Sequence, residues 1–321
     1  MIDLTVAICM YNAEAYIEKT LRSVLDQSFQ QFHLLVIDDK SIDGSIAIVR
    51  RILGDADYAY ELVEFEENRG ICHARHFAEQ HCQTKYMMFL DADDILYPDA
   101  IEKMYQRITS DTDLMAVGCY LEYIDEKDRK IGGGIFLGEK TKEGFYEKAK
   151  NRKLIFMQPT AIYLLEASLK VGGHNIEGYP LGQPRYQDYC EDLDLWTRMS
   201  DLYTEGKAIV VVPEVLCKYR KAGGLSSNSY NMILKMRYVK KNLIRRRSGE
   251  RNLTFEEFMK ALTDDEKNNI KRDAIAADSL RNGVFYLRKH RFLKGIREFL
   301  RSVKARPLYI VDKIRHNIIR R

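Results

Sequence analysis

The chain has 321 residues, 45% hydrophobic and 31% charged, with 6 Pro and 19 Gly. This composition supplies a packed core and excludes wholesale disorder, collagen-like repeats and linker-dominated architecture. The net charge of +4 is split unevenly: residues 235–321 carry 25 Lys/Arg against 10 Asp/Glu, while the first 234 positions carry 26 against 37, as expected of two parts with different partners.

Leu4–Met10 reads as a buried strand, and Ile17, Leu21, Val24 and Leu25 recur at helical spacing after it. Leu34–Ile37 reads as a second strand, followed by a helix over 45–53, a strand over 60–65 and a helix over 71–81. Tyr86–Leu90 is the fourth strand, 98–109 is helical, and Leu114–Tyr123 closes the series as a strand. Strands alternating with helices of this length predict an α/β fold with a mostly parallel, Rossmann-like sheet covered on both faces. Ligands of such sheets bind at the carboxyl ends of the strands. Residues 126–158 are Gly- and Lys-rich and read as less regular, and Pro213–Ser229 reads as the end of a catalytic domain spanning 1–228. A basic helical region, 229–321, follows. Its helices are marked by Met232, Met236, Val239 and Leu243 running into Arg245–Arg247, by Phe292, Ile296, Phe299, Leu300 and Val303, and by a stripe at Val311, Ile314 and Ile318.

No window approaches the roughly 20 apolar residues of a membrane span. The N-terminus lacks a basic segment and a cleavage site, so a secreted precursor is not expected. Six scattered cysteines (Cys9, Cys72, Cys82, Cys119, Cys190, Cys217) form no Cys-x-x-Cys pair. They disfavour a zinc ribbon or a disulfide scaffold and suit a reducing, cytoplasmic compartment.

Three acidic groups stand where chemistry is expected. Asp91-Ala92-Asp93-Asp94 follows an apolar strand; alternate carboxylates there suit Mg²⁺ or Mn²⁺, although turn chemistry alone also favours Asp. Asp38-Asp39 ends the second strand, where a carboxylate can accept from a pyrimidine ring N–H or a ribose hydroxyl. Glu191-Asp192 opens an amphipathic helix. Acids suit the helix dipole there, and a carboxylate there can also act as general base for a sugar hydroxyl.

These groups occur in order with Val6–Asn12, Glu67-Asn68-Arg69-Gly70 and Val171-Gly172-Gly173. Together, over about residues 3–225, they resemble the family 2 inverting glycosyltransferases of GT-A fold. The resemblance implies that Cys9, Tyr11, Asn12 and Asp39 contact the nucleotide base and ribose. It places Arg75 where a basic residue reaches the nucleotide, Asp91 on the ribose side, and Asp93 as ligand of a Mn²⁺ or Mg²⁺ bridging the diphosphate. Asp192 matches the catalytic base, with Glu191 beside it. The implied reaction is non-processive transfer of one sugar from a nucleotide-sugar, a UDP-sugar, to a glycan or lipid-linked acceptor of surface polysaccharide or lipopolysaccharide synthesis.

This chain has Cys9-Met10 where family members often have Pro-Thr. It also lacks the His that commonly follows the Tyr-Arg pair, so Arg220 or Lys221 is the candidate for the phosphates. A sugar-nucleotide nucleotidyltransferase would need a Gly-rich N-terminal loop, which is missing; a degenerate, non-catalytic fold is the other alternative. The basic C-terminal region reads either as a solvated helical face or as a peripheral contact with the anionic inner face of the membrane. No nucleic-acid recognition motif accompanies it.

Overall fold

The computed structural model describes residues 2–54, 60–221, 225–288 and 290–309. The apolar stripe at Val311, Ile314 and Ile318 and the Gly223-Gly224 turn lie outside the described residues. Two compact units emerge, neither a single stretch of chain. The first comprises Met1–Glu177, Cys190–Ala222 and Val239–Asn252; the second comprises Gly178–Tyr189, Gly223–Tyr238 and Leu253–Arg321.

The first unit is built on a nine-stranded sheet. Strands β1 (Leu4–Met10), β2 (His33–Asp38), β3 (Tyr60–Glu64) and β4 (Tyr86–Asp91) pair in parallel in the order β3-β2-β1-β4. Helices α1 (Ile17–Leu25), α2 (Ser45–Gly54) and α3 (Ile71–His81) connect them. All seven residues of β1 are buried, as expected for a central parallel strand covered on both faces. Helix α1 buries Ile17, Thr20, Leu21 and Val24, a single stripe at helical spacing. The register sets Met10 opposite Asp38 and Cys9 opposite Asp91, so the polar residues ending three strands arrive at one edge.

The remaining strands are β5 (Ile95–Leu96), β6 (Leu114–Ile124), β7 (Lys130–Ile135), β8 (Ala161–Leu164) and β9 (Ala208–Arg220). Here the sheet is mixed: β8 runs antiparallel between β4 and β6, β9 parallel to β6, and β5 and β7 antiparallel to β9 and β6. Helices α4 (Ala100–Thr109), α5 (Lys142–Lys150), α6 (Leu165–Lys170) and α7 (Glu191–Met199) complete this unit's helical cover. The stretch expected to be irregular thus contains β7 and α5. The expected domain end contains most of β9, which passes Pro213 at a bulge. Val212 pairs with Cys119 and Val215 with Tyr120, leaving Pro213 and Glu214 outside the ladder, where no backbone N–H is required.

Helix α8 (Ser229–Arg247) contributes its second half to the first unit. There Arg246 and Arg247 donate to the Asp201 carboxylate at 2.6 and 2.5 Å, so this arginine run is partly absorbed by ion pairing. The second unit holds the start of α8 with α9 (Phe255–Ala261), α10 (Asp264–Arg288) and α11 (Phe292–Ala305). Its core is aromatic: Phe255 meets Tyr179, Tyr186, Tyr238 and Phe258, with the buried Lys235 ammonium over the Tyr179 ring at 4.1 Å. Among the described residues, no helix is long and apolar enough to cross a membrane.

Candidate active site

The floor of the site is a lacework between the loops that follow β1 and β2. Asn12, at φ 50°, accepts from Ile42 N at 2.9 Å, and its own N–H donates to Ser41 Oγ. Ala13 N donates to Ser45 Oγ at 2.8 Å, while Gly44 N donates to Glu14. Asp39 is buried and accepts from Arg69 N at 2.7 Å, Gly70 N at 2.8 Å and Asn68 Nδ2 at 2.9 Å. The Asn68-Arg69-Gly70 segment is therefore tied to Asp39. Gly70, at φ 96° and ψ 163°, adopts a conformation that only glycine takes readily. The adjacent Asp38 gives one carboxylate oxygen to Ser41 N, and the other is buried without a hydrogen-bond partner. Tyr11 stands half exposed at this edge, whereas Cys9 is buried and its thiol is pushed up to about 12 by burial, which keeps it protonated and unreactive.

The acidic turn Asp91–Asp94 leaves β4 alongside. Thr20 Oγ1 donates to the Ala92 and Asp94 carbonyls at 2.9 and 2.8 Å. Arg220, at the end of β9, donates through Nε to the Asp93 carbonyl at 2.8 Å and through Nη1 to the Asp125 carbonyl at 2.7 Å. Its Nη2 pairs with Asp128 at 2.6 Å, and its backbone N–H serves Asp94 Oδ1 at 2.9 Å. Of the two candidates for the phosphates, Arg220 and Lys221, Arg220 has its guanidinium engaged by these protein oxygens. Burial, reinforced by Asp91, pushes the Asp93 carboxyl up to about 6. Asp94, buried beside Asp91 and Asp93, is likewise held well above the usual carboxylate range.

Arg75 joins this turn to the other acidic group. Buried on α3 beneath the Phe89 ring, it donates to Asp91 Oδ1 at 2.5 Å and to Glu191 Oε1 at 2.6 Å. Glu191 and Asp192 form the first turn of α7, entered through Cys190 at φ 51°. That left-handed conformation costs a non-glycine residue about 1–2 kcal/mol and turns the chain abruptly into the helix. Burial and the Asp192 charge push Glu191 up to about 7 despite Arg75. Asp192 is raised by burial and by Asp91, and accepts from Leu193 N at 2.7 Å.

Helix α7 is clasped from behind. Arg198, paired with Asp194, donates to the Val171 and Gly173 carbonyls, both at 2.7 Å. Glu79 of α3 accepts from the His174 backbone at 2.6 Å, Ser168 at 2.5 Å and Tyr163 at 2.9 Å. Gly173 sits at φ 61°, where a Cβ would lie 2.7 Å from Glu79 Oε2. The Val171-Gly172-Gly173 motif is therefore a joint between α3 and α7.

Cys9, Tyr11, Asn12, Asp39, Asp91 and Asp93 all lie on the carboxyl-edge loops or strand ends, and Arg75 links Asp91 to the Glu191–Asp192 helix start. Glu79, Arg198 and the scaffold role of Arg220 were not singled out from sequence: each is one polar residue in an otherwise ordinary helix or strand. Lys221, beside Arg220, lies over the Tyr123 and Tyr219 rings at 4.8 and 5.3 Å.

Residues 5–171 match the profile of Glycosyl transferase family 2. The chain is 27% identical over 229 residues to an uncharacterized glycosyltransferase of Haemophilus influenzae, covering 71% of this chain and 68% of that one. It is 40% identical over 96 residues to the putative teichuronic acid biosynthesis glycosyltransferase TuaG of Bacillus subtilis, covering 30% and 38%. Its fold resembles residues 1–349 of Staphylococcus aureus TarS, crystallised with UDP-GlcNAc, at TM-score 0.56 and 18% identity over 92% of this chain and 90% of that one. The chain belongs to glycosyl transferase family 2; it is a glycosyltransferase of GT-A fold.

Proposed function

We propose that this enzyme transfers one sugar from a UDP-sugar to a hydroxyl of a bacterial surface glycan or its lipid-linked precursor, inverting the anomeric carbon. The observation that carries the reading is the link from Asp91 through Arg75 to Glu191, which brings the start of α7 beside the acidic turn. In the step, the acceptor oxygen forms its bond to the anomeric carbon as the bond from that carbon to the diphosphate oxygen breaks. The electron pair departs with UDP, and the acceptor proton passes to Asp192. A carboxylate raised by burial is a stronger base than one in water, which suits this role. Asp39, Asn12 and the backbone at Cys9–Tyr11 would hold base and ribose, with Asp91 on the ribose side and Arg75 fixing its carboxylate.

A divalent metal fits the acidic turn. No group of three or more His, Cys, Asp or Glu suited to a metal exists among the described residues. Mg²⁺ or Mn²⁺, however, needs only one or two carboxylates when substrate phosphates and waters fill the rest. Asp93 is such a carboxylate: burial beside Asp91 disfavours its charge, a cost that a cation would offset. Asp93 would hold the metal, which would supply neutralisation of the departing diphosphate.

Calorimetry of UDP, GDP and dTDP, each with and without Mn²⁺, on wild type and Asp93→Ala tests this reading. Metal-dependent UDP binding that the variant loses is the expected result. Folded wild type that binds no nucleotide would overturn it.

A further inference from the structure

Helix α11 turns one face to α10 and leaves an apolar one uncovered among the described residues. Gly295 is buried where a Cβ would meet Leu287 of α10, Phe299 lies over Gly283, and Ser302 Oγ donates to the Ala276 carbonyl at 2.9 Å. Small residues at these contacts let the two helices approach closely. Following the helical period, the next arc carries Phe292, Leu293, Ile296, Leu300 and Val303. These are exposed, Leu293 at 85%, Leu300 at 65% and Phe292 at 60%. The arc beyond it carries Lys294, Arg297, Arg301 and Lys304, all exposed, and the helix has a single acid, Glu298.

We propose that this face of α11 docks on an anionic lipid surface, its apolar arc at the acyl boundary and its cations among the headgroups. Charge complementarity selects the occupant. A second copy of the same face would set four cations against four, whereas anionic lipid neutralises them. At 14 residues, or about 21 Å, the helix is too short to span a bilayer and lies in the plane of the interface. An enzyme so held would meet acceptors embedded in that surface. The inference rests on the second unit alone and is independent of the donor and catalytic assignments.

The test is co-sedimentation of the full chain with vesicles of phosphatidylcholine alone, or of phosphatidylcholine mixed with phosphatidylglycerol, at low and high salt. UDP affinity and helicity are measured on the same preparations. Wild type is expected to sediment with the anionic vesicles only, and less so at high salt. The pairs Leu293→Gln/Leu300→Gln and Arg297→Gln/Arg301→Gln should each weaken binding roughly tenfold or more, with UDP affinity and helicity unchanged. Wild type that ignores anionic vesicles at low salt overturns the proposal, as does either pair sedimenting like wild type. A solution dimer that the leucine pair dissociates without changing sedimentation would assign the face to a second copy instead.

Discussion

Arg75 and Arg220 flank the Asp91–Asp94 turn and hold it in different ways. Arg75 grips carboxylates, Asp91 on one side and Glu191 on the other. The Arg220 guanidinium grips mainly backbone, the Asp93 and Asp125 carbonyls, together with the Asp128 carboxylate. Both guanidiniums are buried, so both depend on the planar five-donor fork that lysine lacks. The difference lies in what each partner does. Carbonyls are fixed scaffold, so Arg220 sets the shape of the turn. Asp91 and Glu191 belong to the carboxyl edge of the sheet, so Arg75 sets its charge and couples the two acidic groups, which in the proposed reaction are the donor side and the base side.

Arg75→Ala should be the most damaging change. It leaves buried carboxylates uncompensated, costing about 3–5 kcal/mol of stability, and it should also depress kcat/KM in the fraction that folds. Arg75→Lys sharpens the point: one prong in place of two should fold but lose at least about tenfold in kcat/KM. Full activity in the lysine variant would break the claim that Arg75 couples the two acidic groups. Arg220→Ala should cost about 2–4 kcal/mol, measured by urea unfolding. Its loss of UDP affinity should track loss of fold, because Arg220 reaches protein oxygens.

Glu79 gives the smallest effect and one with a pH signature. Burial alone would raise its carboxyl, but His174 and the Ser168 and His174 hydrogen bonds outweigh burial and pull it from 4.5 down to about 2. Its contribution is therefore complete above about pH 4.5 and drains away as pH falls towards 2. It amounts to no more than about 3 kcal/mol. In Glu79→Gln this part of the acid limb of stability should be missing, which unfolding midpoints across that window would show.

The same contrast explains what was legible beforehand. Strands β1, β2 and β4 are apolar runs ended by Asn, Asp or Asp-x-Asp, so both the parallel half of the sheet and its acidic edge could be read from pattern. Strand β9 could not, because Pro213 signals an end and only the bulge opposite Cys119 and Tyr120 shows how the strand continues. Strand β7 was hidden by Gly132-Gly133-Gly134, which weakens any strand signal. Arg75, known only by analogy, turns out to bridge two carboxylates that are 100 positions apart in sequence. Glu79 and the structural role of Arg220 depend on contacts across similarly long separations, and Arg198 on carbonyls 25 and 27 positions away, none of which local periodicity records. The Val171-Gly172-Gly173 motif was visible as a motif, but its use as a joint depends on Glu79 and Arg198.

The central claim is that Asp192 is the base at the end of this charge-coupled link. The most direct measurement is Asp192→Asn, comparing turnover with UDP affinity by calorimetry on the same folded preparation. The account predicts a fall in kcat of about 10²–10⁴-fold with UDP affinity unchanged. Turnover within a few-fold of wild type would contradict it and move the base elsewhere in the site.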